Sequence, residues 1–352
     1  MSDIANLAPA YIRSIAPYQP GKPISDLARD KGLDPSQIVK LASNENPLGV
    51  SPNAHMAMMD ALDDIARYPD GNSVVLRDAV CEKFKVTPSQ LVFGNGSNDI
   101  LELAARAFLA PGDEAVYSQH AFAVYSLVTQ AVGATGVVVP AKDFGHDLEA
   151  MLKAITPKTR MVFVANPNNP TGTLIGKLEL KKFLSTVPKH VLVMLDEAYD
   201  EYLTDELKAE SIGWLGEFDN LVISRTFSKA YGLAGLRIGY GVAQPHLTDL
   251  LNRIRQPFNV NSLAQAAAIA AFQDSAFLQQ GFELNRAGLV QLTQAFDALG
   301  LTYLPSAGNF VLVKVGEDDG AGARINLELL KRGIIVRPVG NYGLPQWLRI
   351  SI

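Results

Sequence analysis

Apolar residues follow two rhythms along this chain, and the change from one to the other outlines its architecture. The stretch "ILELAARAFLA" places Ile100, Leu103, Ala104, Ala107 and Phe108 at helical spacing, and "PGD" turns the chain after it. "EAVYS" and "GVVVP" predict short strands around another helix, and "DLEAMLKAI" predicts a helix with Asp147 as its N-cap. Further on, "MVFVA", "HVLVMLDEAY" and "LVISRTF" are apolar runs without alternation, as parallel strands buried on both faces require. Repeated βα units of this kind predict an open, mostly parallel sheet with helices on both sides. Such a sheet binds ligands outside the carboxyl ends of its strands.

Around this α/β pattern the chain changes character. Residues 1–45 are rich in proline and turn formers and read as an extended arm with one short helix around residues 25–31. Residues 46–255 form the predicted large domain. Residues 256–352 contain "NFVLVKV", the amphipathic "RINLELLKRG" and a last strand "WLRISI", and predict a smaller α+β domain joined by the arm. A length of 352 residues suits such a two-domain division.

Composition narrows the function. With 48% apolar and 19% charged residues the chain is an ordinary globular protein. A net charge of −5 without a basic block argues against nucleic-acid or anionic-membrane partners. "LAQAAAIAAF" is too short for a membrane span and is broken by Gln265. The opening "MSDIANLAPAYIRS" lacks a basic head followed by an apolar segment, and a single cysteine, Cys81, fits a reducing compartment; the expected location is the cytoplasm. The five histidines (His55, His120, His146, His190 and His246) show no metal-ligand spacing, so no metal is expected.

Four segments carry candidate chemistry. In "FGNGSNDILEL" two glycines lie between a strand and a helix, so Ser97 and Asn98 fall at a helix start whose free N–H groups suit a phosphate. Asp99 stands where a dinucleotide fingerprint would have its third glycine. "VFVANPNNPTG" sets asparagine amides at a strand end, with proline imposing turn geometry. "VLVMLDEAYDEY" places Asp196 after an apolar run, where a charge needs a partner, with Tyr199 three residues on; Glu197, Asp200 and Glu201 read as solvated charges. In "TFSKAYGLAGLRIGY", Lys229 taken alone reads as a surface lysine. A desolvated lysine is equally a nucleophilic amine, with Arg237, Thr226 and Ser228 as phosphate donors. At successive strand ends these groups together meet the needs of pyridoxal phosphate: a phosphate cradle, a partner for the ring nitrogen, donors for the phenolic oxygen and an amine for the aldehyde.

"NPNNPTG", "DEAYDEY" and "TFSKAYGLAGLRIGY" resemble the signature segments of fold-type I aminotransferases. "KLASNENPLGVSP", "RYPDG", "HAFAVY" and "RQPFNVNSLAQAA" extend the resemblance to the histidinol-phosphate aminotransferase family over nearly the whole chain. It implies an α/β fold of the fold-type I pyridoxal-phosphate-dependent class, with a mostly parallel seven-stranded sheet flanked by helices and a smaller α+β domain. It also implies roles. Lys229 bonds the cofactor aldehyde and later carries the proton at the substrate α-carbon, and Asp196 pairs with the ring nitrogen. Asn169 and Tyr199 bind the phenolic oxygen, and Phe122 stacks on the ring; on its own Phe122 reads as a core aromatic. Ser97, Asn98, Thr226, Ser228 and Arg237 hold the phosphate, joined by Tyr68 from the neighbouring subunit of a homodimer. Tyr18, Arg337 and Arg349 recognise the substrate, and Asn44 lines the mouth. The substrates implied are histidinol phosphate or imidazole-acetol phosphate in one half-reaction and glutamate or 2-oxoglutarate in the other.

Members of that family continue past the "LRISI" segment into a turn and a closing helix that this sequence does not include, which puts Arg349 near an expected fraying end. Three alternatives share the cofactor residues: an aromatic amino-acid aminotransferase, a phosphothreonine decarboxylase-like lyase, and a non-catalytic cofactor-binding sensor. The sensor reading normally requires an added DNA-binding segment.

Overall fold

The computed structural model describes residues 4–352; residues 1–3, at the head of the stretch read for a leader, lie outside the described residues. Seven strands form the large sheet: β1 (Leu91–Gly94), β2 (Glu114–Ser118), β3 (Thr135–Val139), β4 (Thr159–Ala165), β5 (Leu192–Asp196), β6 (Leu221–Thr226) and β7 (Gly239–Ala243). Their order is β1-β7-β6-β5-β4-β2-β3, and β7 alone runs against the others. The central strands are apolar on both faces because both are covered. Val162, Val164, Val193 and Leu195 enter one core, while Met161, Phe163, Leu192 and Met194 enter the other.

β7 is rich in glycine and carries little of the apolar signal that marked its neighbours. Its glycines are a packing requirement. A Cβ at Gly239 would stand 2.5 Å from the Ser97 nitrogen, and one at Gly241 would stand 2.8 Å from Ile100. The missing side chains let the helix Ser97–Phe108 lie directly on the sheet with its N-terminus over the carboxyl ends of the central strands.

A second sheet contains β8 (Tyr303–Leu304), β9 (Phe310–Lys314), β10 (Arg337–Val339) and β11 (Leu344–Ser351) in the antiparallel order β10-β11-β9-β8. One face packs Val311, Val313 and Leu348 against the helices Ser275–Ala298 and Ala321–Lys331. The other face, with Leu312, Leu344 and Trp347, meets Ala123 and Phe144 of the larger unit. Val39–Lys40 pairs in parallel with Ile334–Ile335, which ties the N-terminal arm to the small unit.

The boundary expected at residue 255 falls before the helix Ser262–Gln273. Its Ala264, Ala267, Ala268 and Ala271 are buried in the large-sheet core, which therefore reaches Phe272. Among the described residues no helix is long and apolar enough to cross a membrane.

Candidate active site

Fourteen of the fifteen candidate residues line one cavity of about 220 Å³ between the two sheets; Tyr68 is the exception. A larger cavity of about 1010 Å³ beside Lys83, Trp214 and Phe282 contains none of them. Convergent polar groups, not size, mark the site.

One end of the cavity is built at the start of the helix Ser97–Phe108, where the first N–H groups have no carbonyl one turn behind them and so suit an anion. The preceding loop is locked from within. Asp99 accepts from the Asn95 N–H at 2.9 Å and from Asn259 Nδ2 at 3.0 Å, so the residue that breaks the dinucleotide fingerprint serves as a staple. Gly96 has a φ of +89°, and a Cβ there would stand 2.5 Å from Arg237 Nη2. The guanidinium thus lies against the helix start, with Nη1 donating to Ser228 Oγ at 3.2 Å. Thr226 Oγ1 accepts from the Ser228 N–H at 3.1 Å, which closes the turn after β6.

Asp196 ends β5 and is buried. Tyr125 donates to its Oδ2 at 2.8 Å and Ser224 to its Oδ1 at 3.0 Å. Burial raises its pKa, against the lowering effect of these hydrogen bonds. Tyr125 and Ser224 were missed in the sequence. The signal for Tyr125 was its place three residues after Phe122 in "HAFAVY", one helical turn on along the same helix; Phe122 itself is half-buried at the cavity wall.

The neighbouring charges differ from expectation. Glu197 and Asp200 are buried, not solvated, and Glu201 is partly buried. Arg225, on β6, bonds Glu197 Oε2 at 2.7 Å and Asp200 Oδ2 at 3.0 Å, while Ser211 donates to Glu197 Oε1 at 2.6 Å. An arginine inside the apolar run "LVISRTF" was the clue, since a cation buried there requires carboxylates.

Lys229 is part-buried, and its Nζ donates to the Ser43 carbonyl at 3.1 Å. Burial, helped by the nearby Arg349 and Arg237 charges, lowers its pKa to about 8, against the opposing effect of Glu45 and Asp196. Burial pushes the Tyr199 phenol up to about 12.

The three asparagines of "NPNNPTG" divide their work. Asn166 exchanges hydrogen bonds with Ile175, and Asn168 Nδ2 donates to the His120 carbonyl and Thr171 Oγ1. Those two shape the loop, and Asn169 faces the cavity. Asn44 also reaches it, but its amide is engaged by Tyr199 and Ser351.

At the other end Arg337 and Arg349 stand opposite each other on β10 and β11. Both are buried, and Arg349 pairs with Leu312 on its other side, so it stands inside the sheet with a strand on each side and not at an unpaired end. Among the described residues their hydrogen-bond partners are neutral oxygens: the Gln19 carbonyl for Arg337, and Asn169 Oδ1 and the Ala42 carbonyl for Arg349. Arg349 Nε is buried without a partner, and Tyr18 lies against Arg337 with 5.6 Å between ring centre and guanidinium. Two like charges placed opposite each other repel, and an anion between them relieves the repulsion. Tyr68 is on the outside, 82% exposed and stacked on Phe258 at 4.7 Å.

Comparison with known proteins gives the family. Residues 36–352 match the family model of class I and II aminotransferases. The chain is 66% identical over 352 residues to the histidinol-phosphate aminotransferase of Methylobacillus flagellatus, covering 100% of this chain and 94% of that one. It is 64% identical over 344 residues to histidinol-phosphate aminotransferase 2 of Ralstonia nicotianae, covering 98% and 92%. The solved structure of the histidinol-phosphate aminotransferase from Sinorhizobium meliloti, in complex with pyridoxal-5'-phosphate, is similar with a TM-score of 0.89 at 29% identity, covering 97% and 92%. The chain belongs to the class I and II aminotransferases and, within them, to the histidinol-phosphate aminotransferase family.

Proposed function

We propose that this protein transfers the amino group of histidinol phosphate to 2-oxoglutarate, giving imidazole-acetol phosphate and glutamate, with pyridoxal phosphate as its cofactor. The observation that carries this reading is the convergence on one cavity of an anion cradle, a buried carboxylate, a part-buried amine and two arginines. Family membership supplies the substrate.

The residues present fit the cofactor. Gly96 keeps Arg237 against the helix start, which leaves donors but no side chain where a phosphate would sit. Asp196 is a buried carboxylate whose partners are neutral hydroxyls, so a cationic ring nitrogen would offset its desolvation. When bound, pyridoxal phosphate supplies an aldehyde that captures amines and a protonated ring that withdraws electrons from the substrate α-carbon.

The chain's own groups do the rest. The Ser97 and Asn98 N–H groups, with Thr226, Ser228 and Arg237, hold the phosphate. Asp196 keeps the ring nitrogen protonated. Asn169 and Tyr199 donate to the phenolic oxygen, and Phe122 covers a ring face. Lys229, with its pKa near 8, would hold the cofactor at its aldehyde and, as a free amine, would take and return the proton at the substrate α-carbon. Arg337 and Arg349 grip the anionic end of either substrate, since a planar guanidinium donates to phosphate and carboxylate oxygens in the same forked geometry. Tyr18 closes the mouth from the arm.

The working unit in this reading is a homodimer in the cytoplasm, in which Tyr68 of one subunit reaches the phosphate site of the other. Its support is the exposure of Met56, Met59, Leu62, Ile65 and Val75 on the segment that also carries Tyr68. The test is amino transfer from histidinol phosphate to 2-oxoglutarate by the purified protein, with borohydride fixing the cofactor on the peptide containing Lys229. A higher kcat/KM for phenylalanine, release of CO₂ without transfer, or label on another lysine overturns it.

A further inference from the structure

Three consecutive residues of the N-terminal arm each touch a different member of the site. The Ala42 carbonyl accepts from Arg349 at 2.7 Å, the Ser43 carbonyl accepts from Lys229 Nζ at 3.1 Å, and Asn44 Nδ2 donates to the Tyr199 hydroxyl at 2.9 Å. Asn44 is 1% exposed and holds a left-handed backbone with φ 54°, a conformation that asparagine tolerates better than most residues. Its surroundings define where every proton points.

The Asn44 backbone N–H donates to Ser351 Oγ at 2.9 Å, so the serine oxygen is an acceptor there. The single Ser351 proton then goes to Asn44 Oδ1, also at 2.9 Å. With Oδ1 taken, the amide nitrogen, a donor only, faces Tyr199. A phenol has one proton, and it cannot be directed at an amide NH₂. The Tyr199 proton therefore points elsewhere, and the open direction is the cavity that Tyr199 lines. The reverse amide orientation would aim two donors at Ser351 Oγ and leave the serine proton without Asn44 Oδ1 to accept it. Asn309 Nδ2, donating to the Asn44 carbonyl at 3.1 Å, holds the strained peptide in place.

We propose that Asn44 and Ser351 are positioning residues that aim the Tyr199 hydroxyl proton into the active-site cavity. This rests on the reading of the cavity as a pyridoxal-phosphate site, where that proton is donated to the phenolic oxygen. Ser351 lies two residues beyond Arg349 on β11, so the strand that grips the substrate also carries the origin of the relay.

The experiment is a pH titration of the visible absorbance of the cofactor-loaded protein. Donation from Tyr199 favours the deprotonated form of the bound chromophore, so its loss raises the titration midpoint. Asn44→Asp puts an acceptor where the donor stands and turns the tyrosine proton away from the cavity; the midpoint is expected to rise by about one pH unit. Ser351→Ala, a milder change within a paired strand, is expected to move it in the same direction by less, and Ser351→Thr to restore it. In a Tyr199→Phe background neither Asn44→Asp nor Ser351→Ala is expected to add a further shift. Unmoved midpoints in both variants, or full shifts that persist without the tyrosine hydroxyl, overturn the relay alone. Wild-type protein that takes up no visible cofactor overturns the reading of the site and the relay with it.

Discussion

The Arg349 guanidinium donates to the side-chain oxygen of Asn169 at 2.5 Å across 180 residues of sequence. A guanidinium has no acceptor, so this contact orients the amide: Oδ1 toward the arginine and Nδ2 into the cavity. The strand that carries Arg349 thus fixes a hydrogen-bond donor on the opposite wall.

Asn169→Asp keeps an oxygen for Arg349 but replaces the Nδ2 donor with a second acceptor. Steady-state kinetics should show kcat/KM for amino transfer down by about a hundredfold, the scale of losing one positioned donor. Wild-type kcat/KM in this variant would remove Asn169 from the site.

Gly96→Ala places a methyl 2.5 Å from Arg237 Nη2, on a backbone whose φ of +89° already disfavours a side chain. The phosphate end should lose its shape while the distant cores stay intact. Titration of cofactor-free protein with pyridoxal phosphate should show affinity weakened about tenfold or more. Unchanged affinity would move the phosphate to another part of the cavity.

Arg225→Leu leaves Glu197 and Asp200 buried without a cation. The expected loss is about 3–5 kcal/mol in urea unfolding. Adding Glu197→Gln and Asp200→Asn should recover part of it by removing the stranded charges. A single variant as stable as the wild type would show that the buried network contributes nothing.

Lys229 should react with pyridoxal phosphate in cofactor-free protein along a pH curve that levels off above its pKa of about 8. An ordinary surface lysine, with a pKa of about 10.4, keeps gaining reactivity through that range. Borohydride trapping followed by peptide mass analysis reads the curve. A Lys229 peptide that tracks the surface lysines would place the amine in water.

His146 carries an acid-stability cost. It is buried, accepts from the Ala165 N–H at 3.3 Å, and burial lowers its pKa from 6.5 to about 4. Between those values the unfolded chain takes up a proton that the folded chain refuses, so stability falls as pH drops from 6.5 toward 4. The contribution between pH 7 and pH 5 is on the order of 2 kcal/mol. Urea unfolding at both pH values should show a smaller drop for His146→Gln; identical drops would exclude the histidine as the source.

Much of the site was legible because its residues stand where local patterns end. Asp196 and Thr226 close apolar runs, Asn169 follows one within a proline-bearing turn, and Ser97 opens a helix after two glycines. What stayed hidden was pairing. Glu197, Asp200 and Glu201 read as solvated charges until Arg225, 28 residues after Glu197, folds under the first two. β7 was obscured by glycines whose purpose appears only when the helix Ser97–Phe108 lies on them. Asn44 looked like a residue of the mouth, and only the arrival of Ser351 from the far end of the chain commits its amide.

The sequence by itself determined the order of most strands and helices and the chemical types placed at the strand ends, because periodicity and turn propensity act over a few residues. The tertiary structure decided which of those groups are buried, which face each other, and where each donor points. Those choices arise when packing removes water, for a desolvated polar group must then find its partner wherever the fold supplies one.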